Sequence, residues 1–373
     1  MDYIIKTLTS NLCRSNITLN LKNTTHKETK MRFLLMLYAW YVVGLCFLVS
    51  RGECVIHKSL LKDVDSVNKV GSYIGVVVPN GFEMNPLLQS SSFVMDQTRP
   101  YLDISGRRFR IGTLENQRVI IVMTGLSMLN AGITTQLLLS LFNVKGVLHF
   151  GIAGNANTEL EIGDVVIPKF WAHTGLWSWQ RYGQGPESEL PLESNGDYTR
   201  DVGYLKFSDY NNDTTIDNLL NNVWYQPEEV FPINTTPETR QHAFWVPVDK
   251  HYFTLSKKLE DLKLEECVDA TTCLPRLPKV ARVERGVSAN MFIDNGAYRT
   301  FLNSKFNVTP IDMESAAVAL ICYQQKIPFI AIRALSDLAG GGSSISNEAS
   351  TFAPLAAQNA VATLIKFVQL LHS

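Results

Sequence analysis

The stretch Ile311–Gly341 reads IDMESAAVALICYQQKIPFIAIRALSDLAGG, and it sets the pattern for the rest of the chain. Ile311 ends a short strand. Met313–Gln325 has the spacing of a helix with small residues on one face, suited to close packing on a sheet. Phe329–Ala334 is a continuous apolar run of strand length and predicts a buried strand. The polar pair Ser336-Asp337 follows it after Leu335. A strand, a helix and a second strand in this order form the repeating unit of an α/β sheet.

The flanking segments repeat that alternation. Ser72–Val78, SYIGVVV, is a buried strand ended by Pro79, Asn80 and Gly81. Arg107–Leu114 and Arg118–Thr124 read as a hairpin around Glu115, Asn116 and Gln117. Thr124–Gly132 is a turn leading into an apolar helix over about Ala131–Phe142. Val147–Phe150 is a short strand followed by a glycine turn, Gly151-Ile152-Ala153-Gly154, and Gly163–Pro168 is another strand. Leu255–Leu264 and Asn295–Lys305 read as helices, Val280–Arg285 as a strand, and Thr351–Leu371 as a final amphipathic helix. From Gly175 to about Val248 the period is lost. That segment, extended to about residue 255, reads as a loop-rich insertion with short helices. Its aromatics (Trp177, Trp179, Trp224, Tyr225 and Trp245) either pack on the domain or form a lid.

Bulk composition excludes several classes. The 373 residues are 46% hydrophobic and 18% charged, which is globular rather than disordered. Lys+Arg number 34 against Asp+Glu 35, giving a net charge of −1. A nucleic-acid surface needs a basic excess, so none is expected. The six cysteines do not make a disulfide scaffold, and none shows zinc-site spacing, so no metal is implied. Cys267 and Cys273 bracket the short loop CVDATTC, which either closes oxidatively or holds two unrelated thiols. Cys322 reads as a buried core residue.

The N-terminal region carries a processing signal. Phe33–Val49, FLLMLYAWYVVGLCFLV, has no charge and follows Lys30 and Arg32. A basic stretch before such a run predicts a signal peptide over 31–54, with 1–30 as a polar leader and 55–373 as the mature domain. The expected location is secreted or vacuolar, without lasting membrane association. A transmembrane anchor at 33–49 is the alternative. Asn-x-Ser/Thr triplets at Asn212, Asn234 and Asn307 agree with export.

Four separated stretches, in matching order, resemble the nucleoside phosphorylase/nucleosidase superfamily. They are IGVVVPNGFEMNPLL (Ile74–Leu88), the block from Met123 to Pro168, VSANMFIDN (Val287–Asn295) and the Ile311–Gly341 stretch with its DMExxAxA and RAxSD patterns. Within the superfamily the chain looks most like the bark and vegetative storage proteins of plants, and its motifs resemble the methylthioadenosine nucleosidases. The resemblance implies a phosphorylase/hydrolase-like three-layer α/β/α fold with a mixed central sheet. It also implies a small-molecule nucleoside as partner and a homo-oligomer.

Site residues follow by motif position. Asp337 matches the acid that protonates N7 of a departing purine, since a neutral base leaves better than an anion; its competing role is a helix cap. Ser336 would orient it. Glu314 matches the carboxylate that accepts from the ribose hydroxyls, with Met313 packed on the sugar; the competing role is a charge at a helix start. Glu83 falls where nucleosidases orient the attacking water, although Pro79–Phe82 departs from their pattern, and a solvated helix-start Glu is the alternative. Phe292 and Ile293 match the base-stacking and base-edge positions, the alternative being an ordinary core Phe. Gly151 and Ile152 would line the ribose and nucleophile side.

The residues also bear on the acceptor. Phosphorolytic relatives place an arginine just before the second glycine turn, where this chain has His149-Phe150, and Ile152 replaces a hydroxyl residue. A phosphate dianion needs fixed donors and positive charge. No cofactor is therefore expected, and inorganic phosphate would lack its arginine site. Hydrolysis of the N-glycosidic bond of a purine-type nucleoside is the favoured activity. The alternative is a secreted or vacuolar storage protein on the same fold with weak or no catalysis. A Rossmann dehydrogenase is disfavoured, because no GxGxxG follows the first strand.

Overall fold

The computed structural model describes residues 38, 58–179, 200–206, 222–340 and 348–372. The chain divides into Met1–Lys58 and Ser59–Ser373, and the second unit carries the fold. The predicted leader and signal peptide, residue 38 apart, and the triplet at Asn212 lie outside the described residues. Among the described residues no helix is long and apolar enough to cross a membrane.

Helix α1 (Lys58–Val70) precedes β1 (Tyr73–Val78), α2 (Gly81–Gln89) and the strands β2 (Phe93–Met95), β3 (Tyr101–Ile104), β4 (Arg107–Leu114) and β5 (Gln117–Met123). Then come α3 (Met128–Leu141), β6 (Val144–Asn155) and β7 (Val165–His173). The insertion contributes β8 (Trp177–Trp179), β9 (Tyr204–Lys206), β10 (Asn222–Tyr225), β11 (Glu228–Val230), β12 (Gln241–Ala243) and β13 (Val246–Pro247). After it stand α4 (Lys250–Leu255), β14 (Val280–Ser288), α5 (Gly296–Phe306), β15 (Val308–Asp312), α6 (Ser315–Gln324), β16 (Phe329–Asp337) and α7 (Glu348–His372). The central sheet has 11 strands and is mixed. β1 runs parallel to β5 and β6, and β16 parallel to β6, whereas β16 meets β7 antiparallel and β15 meets β6 antiparallel. Because β7 also pairs β14 and β14 pairs β15, the strands β6, β16, β7, β14 and β15 close into a ring.

The layers follow from the two-residue period of a strand. Ile74, Val76 and Val78 of β1, Ile121 of β5, Leu148 of β6 and Ile330 of β16 join one core with α2 and α7 residues such as Leu87, Ala360 and Phe367. The intervening Val77, Ile120, Val122, Val147 and Ala331 join a second core with α1, α3 and α6 residues such as Val67, Leu138 and Val318. A sheet apolar on both faces must be covered on both, and this one carries helices on each. The small face of α6 is Ala316, Ala317 and Ala319, all buried, and it lets α6 pack closely.

Several boundaries differ from the sequence expectation. The predicted Gly151–Gly154 turn is strand, because β6 runs on through Asn155. The helix predicted over Leu255–Leu264 is α4 and a 3-10 turn at Ser256–Leu259, capped by Asp249, whose side chain accepts from the Tyr252 amide. The insertion holds short strands where loops and short helices were expected. β8, β10 and β9 form a three-stranded sheet, β11 pairs β12, and β13 joins the central sheet. Tyr225 and Trp245 pack on Phe306 of α5, with centroids 5.3 and 6.1 Å apart, and Trp177 meets Tyr225 at 6.2 Å, whereas Trp179 is exposed. The hairpin at Glu115-Asn116 has φ of 48° and 63°, the geometry of a two-residue turn that suits sheet twist. Cys267 and Cys273 are joined by a disulfide, and Cys322 is free and buried.

Candidate active site

A cavity of about 160 Å³ opens where β1, β6, β15 and β16 end. Its walls are Asn80 and Glu83, Ile152 to Gly154, Met291 to Ile293, Asp312 to Glu314, and Ser336 with Asp337. The structure thus brings together Glu83, Ile152, Phe292, Ile293, Met313, Glu314, Ser336 and Asp337. Gly151 lies immediately behind that wall. None of the insertion's described tryptophans is among the lining residues. A larger cavity, about 450 Å³, lies around Leu160, Leu274 and Phe352 and has a mainly apolar lining. The convergent carboxylates are in the smaller one, and chemistry rather than size identifies the site.

Glu83 enters the cavity from the first turn of α2. Asn80 caps that helix, its side chain accepting from the Glu83 amide at 3.0 Å. The Glu83 side chain is 2% exposed. Oε1 accepts from the Ile152 amide at 2.7 Å, while Oε2 is buried with no hydrogen-bond partner among the described residues. Burial pushes its carboxyl up to about 7, against the opposing pull of Arg333. A carboxyl titrating there suits a general base at neutral pH.

Arg333 organises the floor. It stands on β16, fully buried. Nε lies 2.7 Å from Asp312 Oδ2 and 3.1 Å from Ser315 Oγ. Nη1 lies 3.8 Å from Glu83 Oε1 and donates to the Ile152 carbonyl at 3.3 Å. Nη2 lies 3.7 Å from Glu314 Oε2 and donates to His149 Nε2. Three carboxylates share one guanidinium. Gly151 makes the arrangement possible, because a Cβ there would overlap Arg333 Nη1 and Glu83 Oε1.

Glu314 sits at the junction of β15 and α6, in the N-cap position of that helix. Its Oε1 accepts from the Ser127 amide at 2.9 Å. Ser127 holds φ at 89°, a conformation costly for a residue with a side chain, and so presents that amide. Burial raises the Glu314 carboxyl, Arg333 opposing. Both glycine-containing segments therefore deliver one amide to one carboxylate: Thr124–Ser127 to Glu314, Gly151–Gly154 to Glu83. Asp312 lies beneath them and accepts from the hydroxyls of Ser288 and Ser315.

Asp337 lines the same cavity from the end of β16. Ser336 Oγ donates to its Oδ1 at 2.7 Å, and the Ala339 amide donates to Oδ2 at 3.0 Å. Phe292 is 70% exposed, so it is not an ordinary core residue, whereas Ile293 is buried.

The sequence profile of the Phosphorylase superfamily matches residues 73–369. This chain belongs to the phosphorylase superfamily. It is 31% identical to bark storage protein A of Populus deltoides over 297 residues, 79% of this chain and 88% of that protein. It is 26% identical to the 5'-methylthioadenosine/S-adenosylhomocysteine nucleosidase of Psychromonas ingrahamii over 259 residues, 69% of this chain and 83% of that enzyme. Among solved structures, the futalosine hydrolase of Helicobacter pylori superposes with a TM-score of 0.55 at 18% identity, covering 81% of this chain and 99% of the other.

Of the groups in this superfamily member's site that sequence reasoning missed, Asp312 lines the cavity, whereas Arg333 and Ser127 are not among its lining residues. Arg333 and Asp312 stand inside the motifs but carried no expected role. Arg333 did leave a signal: one charged residue within the apolar run FIAIRALS demands a buried counter-charge. Ser127 left none, since its amide rather than its side chain acts.

Proposed function

We propose that this superfamily member hydrolyses the N-glycosidic bond of a purine-type nucleoside. The observation that carries the reading is Glu83, a buried carboxyl with one oxygen unpartnered among the described residues, in one cavity with Glu314 and Asp337. In the proposed reaction Glu83 takes a proton from water as the water oxygen attacks C1′ of the ribosyl group. The C1′–N9 bond breaks, its electron pair leaves with the base, and Asp337 gives its proton to N7. The sugar gains a hydroxyl and the base leaves neutral. Glu314 accepts from the ribose hydroxyls and favours the positive charge developing on the sugar. Ser336 orients Asp337, Met313 packs on the sugar, Phe292 stacks on the base and Ile293 contacts its edge.

Water is favoured over phosphate as acceptor. Among the described lining residues there is no Lys or Arg, and the nearby Arg333 is already engaged by carboxylates. A phosphate dianion there would face Glu83 and Glu314 without a free cation among the described residues. The test is release of free base from a panel of purine nucleosides, 5'-methylthioadenosine included, with and without phosphate. The reading expects release that phosphate does not raise. No release under either condition would refute it.

A second reading rests on the identity with bark storage protein A: a storage protein that retains the inherited cavity. Bulk accumulation without turnover of any nucleoside would favour it. Either reading fits export, and the Cys267–Cys273 disulfide supports passage through an oxidising compartment. We also infer a homo-oligomer, because α3 turns Leu129 and Ile133 to solvent, and an apolar helix face is ordinarily covered. Light scattering on the purified protein tests this, and a monomer at micromolar concentration would contradict it.

A further inference from the structure

His149 has no part in the proposed reaction, yet it sets an uncharged side-chain nitrogen against the Arg333 guanidinium. It lies on β6 beside Val77 of β1 and Ala331 of β16, in register with both, and is fully buried. Its Nδ1 is 2.9 Å from the Val77 carbonyl oxygen. A carbonyl only accepts, so Nδ1 carries the hydrogen and Nε2 presents its lone pair. That lone pair accepts from Arg333 Nη2. A second hydrogen on Nε2 would point at a guanidinium N–H, so this geometry admits only the neutral ring. Burial and then the Arg333 charge push the imidazole well below its usual range, in agreement.

The consequence lies in where Arg333 does not reach. Its terminal nitrogens stay 3.8 Å from Glu83 Oε1 and 3.7 Å from Glu314 Oε2, beyond ordinary hydrogen-bond distance, while Nε bonds Asp312 directly. We propose that His149 is a positioning residue: as a neutral acceptor on Nη2, with the Ile152 carbonyl accepting from Nη1, it holds Arg333 back from direct hydrogen bonds with Glu83 and Glu314. The charged groups facing Glu83 are Arg333, Asp312 and Glu314, with Asp337 lining the same cavity. A direct Arg333–Glu83 hydrogen bond would strengthen the one attractive interaction in that set and stabilise the carboxylate. Held back, Arg333 offsets part of the negative charge of the site yet leaves Glu83 basic. A carboxylate at 149 would add a fourth anion, and a lysine or arginine would repel Arg333.

This inference rests on Glu83 being the base, and its test separates the two claims. The Glu83 carboxyl is titrated by isotope-edited infrared spectroscopy, its band assigned by its loss in Glu83→Gln, alongside the pH dependence of kcat and KM. In His149→Phe, which keeps a ring and removes the acceptor, the midpoint falls by about one pH unit or more. The acid limb of kcat moves with it, and KM stays within about twofold. His149→Leu gives the same shift if the Phe variant does not fold. His149→Gln, whose amide both donates and accepts, restores the midpoint of the natural chain. A midpoint unmoved in both acceptor-free variants, or moved as far by Gln as by Phe, would overturn the proposal. A midpoint that moves in a protein releasing no base would uphold the role of His149 and refute that of Glu83 as catalyst.

Discussion

Glu83 Oε1 accepts the Ile152 amide at 2.7 Å, and the second oxygen of the same carboxylate has no partner among the described residues. One backbone bond fixes the orientation of the group and leaves a strong acceptor available in an enclosed site. An unpaired buried acceptor costs stability, on the order of 1–3 kcal/mol. Such a group persists where function requires it.

Replacing Glu83 by Gln therefore has two opposite effects. Base release falls about 10²-fold or more, since general-base catalysis contributes roughly that much. Stability rises at alkaline pH. The sign follows from the raised carboxyl: its pKa moves from 4.5 in the unfolded chain to about 7 in the folded one. Between those values the native state binds more protons, so stability is fully present below 4.5 and declines as pH rises toward 7 and just beyond. The full loss is on the order of 3 kcal/mol. Thermal unfolding of both proteins at pH 5 and pH 8.5 checks it: the natural chain loses more on going to pH 8.5 than the Gln variant does.

The same carboxyl shapes the rate. Activity of the natural protein falls as pH drops through about 7, because Glu83 becomes protonated and can no longer accept from water. A kcat/KM profile with an acid limb one or more units below that point would contradict the assignment.

Asp337→Asn keeps the acceptor for the Ala339 amide and removes the transferable proton. Turnover of a 6-aminopurine nucleoside drops by about 10²–10⁴, with KM little altered. A riboside with a nitrophenolate leaving group, which departs without protonation, loses far less. Equal losses on both substrates would point to a structural role.

Gly151→Ala places a methyl group against Arg333 and Glu83. Both are buried and cannot withdraw to solvent, so the variant loses about 1–3 kcal/mol through overpacking. Denaturant unfolding measures the loss, and base release falls with it.

Reducing the Cys267–Cys273 disulfide frees a loop with a sequence separation of 6. Chain-entropy arguments give a loss of about 2 kcal/mol. The Tm under reductant should drop by a few degrees, and a Cys267→Ser, Cys273→Ser double variant should match the reduced protein.

Much of this arrangement could be read from the sequence, for definable reasons. The runs at Tyr73–Val78 and Phe329–Ala334 are buried on both faces, so they announce strands without needing partners. The motif around Asp312–Ser315 and Ser336-Asp337 put Glu314 and Asp337 in one site. What failed to show was long-range. Gly151–Gly154 looks like a turn because glycines usually mark one, yet here Gly151 thins a strand so that Arg333 and Glu83 can approach. The insertion's strands are two to four residues long, too short for a period to register. Glu83 could not be told from a solvated helix-start residue until its burial against Ile152 was visible. Glu83, His149 and Arg333 lie far apart along the chain, and only the closing of the sheet assembles them.

The decisive measurement is chromatographic detection of free purine base released from 5'-methylthioadenosine and other purine nucleosides in phosphate-free buffer, comparing the natural chain with Asp337→Asn and Glu83→Gln. The natural chain should release one base per sugar formed, gain nothing from added phosphate, and lose nearly all of that release in both variants. If the natural chain releases no base with or without phosphate, or the two variants release it undiminished, Glu83 and Asp337 are not the base and acid of a nucleosidase.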